Sequence, residues 1–591
     1  MKLSNKELKK NIILHFKKHC GHNNTLSHPE YMQIVNIIRS KNIVGIEDFK
    51  KVPLTDNLQG FLKEFYPFDI DDLPTCEKLQ SNVNITLTPD QLNASKMIFD
   101  FLINTDSHVA NLFGYAGTGK TKIIVTLVDY LIRNNYLKRV VFVAPTNKAV
   151  SIMKQNIIDD DAINDNIDFM TIHRLLKYHG EYDYNGNMVF IKDKGSDMSK
   201  YDFIIVDESS MINSSMVKEI ITEASKKKKD ITKFDKFIKI IFVGDPAQLP
   251  PIDEVSNLLS IENKRLELGI LDKYNMVMTQ VVRSNNTKLI GICNAIRYWI
   301  FDDNKTPDFR SYGSTKTTIY NDPKKWLNRA TKYFKNKDNK KYYDNTIILT
   351  WTNARSKFYN DTIRFNILKR SSLNSFEEND ILIFNDFYFT NAKRFYSCDQ
   401  VKVVKVKPYL HDCLPFKPIL DKSSKELLFV STTLKNMYRD VLNNINESIS
   451  GEYKGYKINV LSKTGDEFIV PIYVIDKKNI KKLQSDRAFI EKELKKLIKY
   501  LSRNKSQFMK SNISTNEFIK LLWNQYNKVF VEFFADVVIA FSITCHKSQA
   551  STFKNVFVDF TDIKMNSKLL EMKKCFYTAC TRASRSVYIL A

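Results

Sequence analysis

The sequence predicts an α/β fold of doubly wound, mostly parallel sheets, and three features of its 591 residues support this class. Short apolar runs such as "FIIV" (203–206) and "IIFV" (240–243) are typical of strands buried on both faces of a parallel sheet. Such runs alternate with stretches of helical spacing over residues 85–280. A hydrophobic fraction of 43% is normal for a chain with sizeable cores and argues against wholesale disorder.

Ahead of the first predicted sheet, residues 1–84 are interpreted as an N-terminal helical extension punctuated by Pro53 and Pro74. This extension carries no chemical motif, so a partner-binding module and packing for the rest of the chain both stay open. The N-terminus lacks the apolar core of a secretory signal, and no apolar run approaches the ~18 residues that a membrane span needs.

The eight cysteines are scattered without a C-x-x-C pair, which predicts reduced thiols in a cytosol-like compartment and a protein that is not secreted. One cysteine belongs to a cluster near the N-terminus, which consists of His15, His19, Cys20, His22 and His28. Because the spacing matches no zinc pattern, we interpret these as surface residues rather than a metal site.

The stretch "GYAGTGKT" fits G-x-x-x-x-G-K-[ST] and predicts a phosphate-binding loop. Gly114, Gly117 and Gly119 let backbone N–H groups curl around the phosphates. Lys120 would reach the β- and γ-phosphates, and the Thr121 hydroxyl would ligate Mg²⁺. An apolar strand precedes the loop and a helix follows it, so a helix N-terminus points at the phosphates of the predicted nucleotide.

Two further strands deliver polar groups to the same sheet edge. "YDFIIVDESSMI" (201–212) ends a strand in Asp207 and Glu208, and "IKIIFVGDPAQLPPI" (238–252) brings Gln248. We predict that Asp207 holds Mg²⁺ through water and that Glu208 is the general base for an attacking water. Gln248 is expected to sense the γ-phosphate.

Ahead of the Asp207 strand, residues 177–193 are predicted to form a β-hairpin inserted in the first sheet domain. Asn185-Gly186 is a strong two-residue turn signal. Alternating apolar and aromatic side chains surround it, namely Tyr182, Tyr184, Met188 and Phe190. The alternatives are an exposed functional hairpin and a structural flap whose tyrosines cover the core.

Five segments occur in one order over residues 85–591: "GYAGTGKT", "VDESSMI", "GDPAQLPPI", "FSITCHKSQASTF" and "FYTACTRASRSVYIL". Together they resemble the superfamily 1B DNA helicases, the branch that contains RecD and the phage Dda helicase. "GDPAQLPP" has the 1B form of the third motif rather than the 1A form typified by UvrD. The resemblance does not extend to residues 1–84.

The resemblance implies two RecA-like motor domains, one formed by residues 85–280 and the other by 281–365 with 535–591. It also implies that Gln91 in "LTPDQLNA" recognises adenine, since an amide both donates and accepts hydrogen bonds. Arg283 and Arg582 resemble the family's phosphate-contacting arginines, supplied by the second motor domain. A guanidinium there would stabilise the charge of phosphoryl transfer.

Residues 366–534 interrupt the second motor domain. Their first part is strand-like and predicts a small SH3-like barrel, whereas "KKLQSDRAFIEKELKKLIKYLSRNK" has helical spacing and predicts a projecting helical element. The resemblance implies that this insertion lies along the translocating strand.

Candidate nucleic-acid contacts lie on four other segments that resemble family motifs. They are Pro145, Thr146, Asn147 and Lys148; Thr171 and His173; Thr352 and Asn353; and His546, Lys547 and Ser548. Short polar side chains suit phosphate oxygens without reading bases. One departure is Ala550, where the family usually has glycine; a methyl group is tolerable there if φ is negative.

A net charge of +24 indicates a polyanionic partner, although the lysine run at 225–230 is better interpreted as a solvated patch. The combined prediction is an ATP-dependent, Mg²⁺-requiring DNA helicase that moves 5′ to 3′ on single-stranded DNA and opens forks. Tyr184 and Phe190 of the hairpin would then separate the strands by stacking on bases.

Three alternatives stay open: RNA as substrate, a translocase that displaces proteins with little unwinding, and a nucleic-acid-binding scaffold with a decayed ATPase. If residues 1–84 bind a partner, we expect that partner to be a replication or recombination protein. Lys/Asn-rich composition favours a phage or large DNA virus, hence the cytoplasm of a bacterium or the cytoplasm or nucleus of an infected host.

Overall fold

The computed structural model describes residues 32–37, 87–103, 107–133, 137–158, 166–183, 185–193, 198–225, 238–251, 254, 258–282, 286–302, 307–335, 346–369, 373–417, 432–462, 469–504 and 514–591. Several sequence predictions fall on other residues. Outside the described residues lie the histidine–cysteine cluster, Tyr184, Arg283 and most of the lysine run. Of the N-terminal extension, residues 1–84, only residues 32–37 are described.

The strands of the described residues are numbered in chain order. They are β1 (Val109–Gly114), β2 (Val140–Ala144), β3 (Ile167–Thr171), β4 (Tyr178–Tyr182), β5 (Met188–Lys192), β6 (Phe203–Val206), β7 (Lys239–Gly244), β8 (Asn275–Met278), β9 (Thr317–Tyr320), β10 (Thr346–Thr350), β11 (Ile381–Phe384), β12 (Tyr388–Phe389), β13 (Arg394–Phe395), β14 (Gln400–Asp412), β15 (Glu452–Ser462), β16 (Ile469–Ile475), β17 (Val537–Ile539), β18 (Ser542–Thr544), β19 (Phe553–Asp559) and β20 (Ala583–Leu590).

The α-helices are numbered in the same way. They are α1 (Pro89–Ile103), α2 (Lys120–Arg133), α3 (Asn147–Ile158), α4 (Ile172–Leu175), α5 (Ser214–Ser225), α6 (Glu262–Glu267), α7 (Thr287–Phe301), α8 (Pro323–Lys335), α9 (Asn353–Leu368), α10 (Thr432–Ser448), α11 (Lys477–Arg503), α12 (Thr515–Tyr526), α13 (Phe560–Ile563) and α14 (Leu569–Thr581). A further short helical segment lies at residues 32–37.

The first of two compact units comprises Met1–Lys177, Lys194–Thr317 and Asn566–Ser586. It is built on a parallel six-stranded sheet with the order β3-β2-β6-β7-β1-β8. Strands β1, β2, β6 and β7 are buried along their whole length, which explains their continuous apolar sequences. Their carboxyl ends lie at one edge of the sheet.

The second unit comprises Tyr178–Asp193, Thr318–Met565 and Val587–Ala591. A second α/β sheet has the order β18-β10-β19-β20-β9, and β10 is parallel to both β18 and β19. The predicted architecture of two RecA-like parallel-sheet domains is therefore confirmed. The exact domain boundaries stay a prediction, since α14 falls in the first compact unit and not with the second sheet.

An antiparallel sheet of the second unit has the order β16-β15-β14-β11-β17. Most of it comes from the predicted insertion, but β17 follows residue 534 and still joins this sheet through β11. Helix α10, between β14 and β15, was not anticipated from the sequence. The SH3-like classification of this sheet stays a prediction.

Strands β14 and β15 form a long antiparallel ribbon that contributes to two hydrophobic cores. At one end, Val401 and Val460 lie in the core of the sheet. At the other end, Tyr453 lies in a core formed with helices α11 and α12, which we call the helical core. A register shift between Val403 and Lys405 interrupts the regular pairing.

Two short hairpins, β4–β5 and β12–β13, stand apart from the large sheets as two-stranded sheets of their own. The β4–β5 hairpin is the one predicted from the sequence, and Gly186 at its turn has φ +81°. In the described part of the chain, no helix is both long and apolar enough to cross a membrane. The six cysteines in that part are free thiols.

Candidate nucleotide site and nucleic-acid surface

The predicted phosphate loop begins where β1 ends and finishes where α2 begins. Gly117 and Gly119 have φ of +83° and +81°, a conformation that other residues rarely adopt. A Cβ atom on Gly119 would also lie 2.8 Å from Nε2 of Gln91. The glycines therefore allow both the turn of the loop and its close packing against α1.

Lys120 opens α2 and turns its side chain back over the loop. Its Nζ donates hydrogen bonds to the carbonyl oxygens of Gly114 and Tyr115, at 3.0 and 3.1 Å. The N-terminal N–H groups of α2 face the same concavity, which favours an anion. The loop thus combines a fixed positive charge with oriented backbone dipoles.

Gln91, the predicted adenine-binding residue, is buried beside this loop. Its Oε1 accepts a hydrogen bond from the Thr88 N–H at 3.0 Å, and its Nε2 donates to the Thr118 carbonyl at 3.2 Å. The side chain therefore braces the loop against the start of α1. Its contact with adenine stays a prediction.

Thr121 and Asp207, the predicted magnesium ligands, lie side by side. The Thr121 hydroxyl donates to Asp207 Oδ2 at 2.8 Å, and the Glu208 N–H donates to Oδ1 at 2.8 Å. Burial raises the pKa of Asp207, although these hydrogen bonds and the Lys120 charge oppose the change. Oxygen donors of this kind are those that Mg²⁺ prefers, so the two residues fit the predicted metal.

Glu208, the predicted general base, has a left-handed backbone with φ +50°. Side chains rarely adopt this conformation, and such residues concentrate at functional sites. The neighbouring strand accommodates the turn because Gly244 lacks a side chain: a Cβ atom there would lie 2.5 Å from Ser209 Oγ. The ends of β6 and β7 can therefore approach closely beside the loop.

Arg582, at the end of α14, is buried and belongs to the same compact unit as the phosphate loop. Its Nη2 donates to Gln248 Oε1 at 3.1 Å. Burial lowers the pKa of Arg582, and the charge of Glu208 opposes that change. The guanidinium nevertheless keeps its charge, because an arginine side chain is not deprotonated in proteins.

A buried network that the sequence analysis missed holds α14 against the loop after β7. The Arg297 guanidinium of α7 bonds to Asp245 Oδ1, and the Tyr577 hydroxyl donates to Oδ2 at 2.8 Å. Leu249 N–H donates to Thr578 Oγ1 at 3.1 Å. Tyr577 and Thr578 lie one turn before Arg582, so this network fixes the helix that carries it.

The partners of Arg297 favour its charged form. Burial alone would lower the pKa of Arg297, but the Asp245 carboxylate and Tyr577 raise it above its usual value. The available sequence signal was an arginine within the apolar stretch "ICNAIRYWIF". A buried arginine needs a carboxylate partner, and Asp245 follows a buried strand.

The candidate nucleic-acid residues of the first unit cap helices at one sheet edge. Thr146 Oγ1 accepts a hydrogen bond from Ala149 N–H, so Asn147 and Lys148 begin α3 rather than continuing the loop that Pro145 starts. Because β2 and β3 pair in parallel, with Ala144 opposite Thr171, the two segments lie next to each other.

Thr171 caps α4 by accepting from Arg174 N–H at 3.3 Å. His173 follows in the first turn of this helix, and burial lowers its pKa, with the Glu219 charge acting in the opposite direction. The His173 ring is therefore mostly neutral at neutral pH.

In the second unit, Thr352 caps α9 at the end of β10. Its Oγ1 accepts from Arg355 N–H, and Asp562 holds the turn. The Asp562 carboxylate accepts from the backbone N–H of Trp351 at 2.7 Å and of Thr352 at 2.9 Å. Asp562 was missed from the sequence, although it positions the start of the helix that Asn353 opens.

The predicted "HKSQ" contact region forms a short 3₁₀ turn, His546–Ser548, after β18. Lys547 Nζ donates to Asn385 Oδ1 at 2.7 Å. Ser548 is buried and its hydroxyl donates to the Cys545 carbonyl, so it shapes the turn. Ala550 has φ +58°, so the negative φ under which a methyl group would be tolerable is not found, and an alanine occupies a conformation that favours glycine.

A groove of about 610 Å³ in the second unit brings two of these motifs together. Asn353 lines it from the start of α9, and Thr544 and Lys547 line it from the "HKSQ" region. Lys357 and Lys477 also line it, together with Asp536 and with Asp361, which pairs with Lys357 at 3.3 Å. We call this feature the α9 groove. It places polar and basic groups from separate parts of the chain along one surface.

The β4–β5 hairpin packs on the helical core of its own unit. Lys520 of α12 pairs with Glu181 at 2.8 Å, and Tyr182 donates to Glu532 at 3.3 Å. A Cβ atom on Gly186 would lie 2.8 Å from the Trp523 ring. Phe190, in contrast, is 62% exposed. The hairpin is therefore anchored through Glu181 and Tyr182 and exposes the Phe190 side chain.

Comparison with known proteins agrees with the order of these features. Residues 102–254 match the family described as "AAA domain", and residues 539–590 match the "UvrD-like helicase C-terminal domain". A protein of Acanthamoeba polyphaga mimivirus, "Uncharacterized protein R530", is 30% identical over 84% of this chain and 98% of its own length. This viral relative agrees with the predicted large-virus source.

A second relative is the RecBCD enzyme subunit RecD of Buchnera aphidicola from Acyrthosiphon pisum. It is 24% identical over 87% of this chain and 74% of its own length. Among solved structures, a Pif1 helicase from Bacteroides in complex with ADP-AlF3 and ssDNA covers 86% of this chain and 93% of its own, at 13% identity and a TM-score of 0.40.

The phosphate loop, the Asp207–Glu208 pair and the Arg582 helix occur in the order of the predicted motifs and within the matched regions. The RecD relative aligns with 87% of the chain. The chain therefore belongs to the superfamily 1B helicases, in the RecD-like branch, and is an ATP-dependent helicase.

Proposed function

We propose that the protein translocates 5′ to 3′ along single-stranded DNA and unwinds duplex DNA at a fork. The observation that carries unwinding is the β4–β5 hairpin, which is anchored through Glu181 and exposed at Phe190. The same unit contains the α9 groove, which suits a phosphate backbone. The direction of movement rests on the family resemblance.

The ATP step uses residues of the first unit that lie around the phosphate loop. Lys120 and the N-terminus of α2 would bind the β- and γ-phosphates, while Glu208 would accept a proton from the attacking water. Arg582, oriented by Gln248, would stabilise charge that develops on the transferred phosphoryl group. Magnesium, held by Thr121 with Asp207 behind it, would neutralise charge on the phosphate oxygens.

The nucleic-acid step uses polar caps and the α9 groove. Helix N-termini and short polar side chains contact phosphates without reading bases, so such a surface tracks a strand of any sequence. Thr352 and Asn353 supply one such terminus and Lys547 a positive charge. These contacts largely ignore the sugar, which leaves RNA as an outcome of the tests below.

Two other functions make different predictions. A translocase that displaces proteins would need the groove and the ATP site but not the exposed hairpin face. A scaffold with a decayed ATPase would not need Lys120, Asp207 or Arg582, yet all three lie in bonded positions around the loop. These contacts favour an active enzyme.

Strand displacement with ATP and Mg²⁺ tests direction and unwinding together. Duplexes with a 5′ or a 3′ single-stranded tail are compared, and we expect product from the 5′ tail alone. Lys120→Ala serves as the control: it should lose ATP turnover and keep single-strand binding. Product from the 3′ tail alone would overturn the assigned direction, and DNA-stimulated hydrolysis without product would favour the translocase.

The hairpin is tested by replacing residues 181–190 with a short Gly/Ser turn. We expect DNA-stimulated ATPase near normal and loss of strand separation, because the motor residues lie elsewhere. Since this change uncovers Trp523, Phe190→Ser is a milder companion variant. Normal unwinding by both variants would place the separating element in another part of the second unit.

Expectations about partners and compartment also remain proposals. We infer a reducing, cytosol-like compartment from the free thiols. Contact with a replication or recombination partner is assigned to residues 1–84, and deletion of that region should leave ATP turnover unchanged if the assignment is correct.

A further inference from the structure

The second short hairpin, β12–β13, presents an aromatic and cationic face that no motif identified. Its turn is closed by Thr390, whose N–H donates to the Lys393 carbonyl at 2.8 Å and whose hydroxyl accepts from the Lys393 N–H. The strands pair Tyr388 with Phe395 and Phe389 with Arg394. Because side chains alternate, these two pairs face opposite sides.

The inner side of the hairpin is fixed by buried rings. Phe395 stacks on Phe384 with ring centroids 4.5 Å apart, and the Tyr388 hydroxyl donates to the Phe533 carbonyl at 3.3 Å. Both inner residues belong to the core of the antiparallel sheet. The position of the outer side chains is therefore set by a packed core rather than by a loose loop.

The outer side carries Phe387, Phe389, Arg394 and Tyr396, which we call the outer face. Phe387 and Phe389 are 54% and 57% exposed, and the rings of Phe387 and Tyr396 lie 5.7 Å apart. Arg394 is exposed directly opposite Phe389. Exposing two phenylalanines together is unfavourable in water unless a ligand covers them.

The hairpin is continuous with the α9 groove. Asn385, at its base, lines that groove and accepts the hydrogen bond from Lys547. Asn385 is itself held by Asp536 through a side-chain hydrogen bond of 3.0 Å. A polymer in the groove would thus pass the residue from which the hairpin starts.

We propose that the outer face is a base-stacking site for single-stranded nucleic acid that leaves the α9 groove. The inference rests on the proposed function, since it requires a strand in that groove. Phe387, Phe389 and Tyr396 supply faces on which bases of any sequence stack, and Arg394 supplies a charge for the neighbouring phosphate.

A nucleic-acid occupant explains the composition of the outer face better than a protein partner does. The face combines rings with a guanidinium, and the chain carries a net charge of +24. Aromatic rings stack on bases without base-specific hydrogen bonds, which suits a motor that must release each base after one step. A protein partner is an outcome of the test.

Binding is measured by fluorescence anisotropy with two labelled strands of about a dozen nucleotides, one of thymidines and one abasic. The double variant Phe387→Ala with Phe389→Ala should bind the thymidine strand about tenfold more weakly and the abasic strand as tightly as the wild type, because only stacking is lost. Arg394→Ala should weaken both and reduce the salt slope by about 0.7.

The matched control is Phe358→Ala with Phe365→Ala on α9. These rings are 51% and 53% exposed, and neither lines the α9 groove. The control should bind both strands normally, and thermal unfolding of both double variants should match the wild type.

An equal loss of affinity for the thymidine and abasic strands would contradict the stacking site. Normal binding by the double variant Phe387→Ala with Phe389→Ala would also contradict it, and would leave a protein partner as the occupant of the outer face. Absence of strand binding by the wild type would instead contradict the proposed function itself.

Discussion

The nucleotide site and the two hairpins of the second unit differ in how their functional side chains are held. Around the phosphate loop, Asp207, Gln248 and Arg582 are bonded to other protein groups, and Gln248 and Arg582 are buried. On the hairpins, Phe190 and Phe389 are exposed at the surface, on strands that are anchored to the rest of the unit. The first region is prearranged for a charged transition state, whereas the second offers surface that a strand can enter and leave.

This difference sets the expected size and kind of mutational effects. A preoriented charge in a protected site contributes several kcal/mol to a transition state, because water does not screen it. An exposed ring or ion pair contributes about 1 kcal/mol or a little more, and its electrostatic part depends on salt. Changes to the first region should therefore affect turnover, and changes to the second should affect affinity and unwinding.

The largest effect is expected from Arg582→Ala. Its charge acts mainly on the transition state, so ATP hydrolysis should fall by about 10³-fold or more while nucleotide affinity is largely kept. Steady-state hydrolysis and equilibrium binding of a fluorescent nucleotide give the two numbers.

Gln248→Ala is the companion variant, since it removes the partner that orients the guanidinium. It should reduce turnover less than Arg582→Ala does. Equal losses of nucleotide affinity and turnover in Arg582→Ala would show a ground-state anchor, and the contrast between the two regions would then fail.

An intermediate effect is expected where the first hairpin is anchored. The Glu181 and Lys520 side chains lie 2.8 Å apart near the turn of the hairpin. Glu181→Lys or Lys520→Glu replaces this ion pair with two like charges, so unwinding should fall severalfold with ATPase unchanged. Strand-displacement rates at low and high salt measure this effect, which salt should reduce.

The charge-swapped double variant, with Lys at 181 and Glu at 520, is the internal control. It should recover most of the unwinding rate, because the pair is restored in reverse. A double variant as slow as the single ones would show that the hairpin does not depend on this ion pair.

The smallest effect is expected from Ala550→Gly. Glycine adopts the left-handed backbone conformation of residue 550 without strain, so the substitution should stabilise the protein by about 1 kcal/mol. The residues of the nucleotide site are unchanged. Denaturant unfolding measures the change, provided that the transition is cooperative.

Ala488→Gly, in an exposed turn of α11, is the matched control. The same chemical change should destabilise by up to about 1 kcal/mol there, because glycine is unfavourable in a helix. Stabilisation at both positions, or at neither, would contradict the interpretation of Ala550.

The sequence predicted the phosphate loop, Asp207 and Arg582 because their chemistry demands fixed residue types at fixed spacing. The alternation of apolar strands and helices likewise predicted both parallel sheets. The β4–β5 hairpin was predicted because Asn185-Gly186 is a local turn signal. Each of these signals lies within a few neighbouring residues.

The remaining features depend on residues that are distant in the chain. Arg297 meets Asp245 only when α7 packs beside β7, and Asp562 meets Thr352 across about two hundred residues. The β12–β13 hairpin turns through Thr390-Asn391-Ala392-Lys393, which contains no glycine or proline. No local pattern marks such contacts, so the sequence alone did not reveal them.

The β14–β15 ribbon has a mechanical consequence for both hairpins. Thirteen residues of β14 extend over roughly 40 Å, with one end in the sheet core beside β12–β13 and the other in the helical core that holds β4–β5. Paired strands resist bending, so we expect the two hairpins to move together as parts of one rigid body. The register shift between Val403 and Lys405 is the position at which we expect the ribbon to bend.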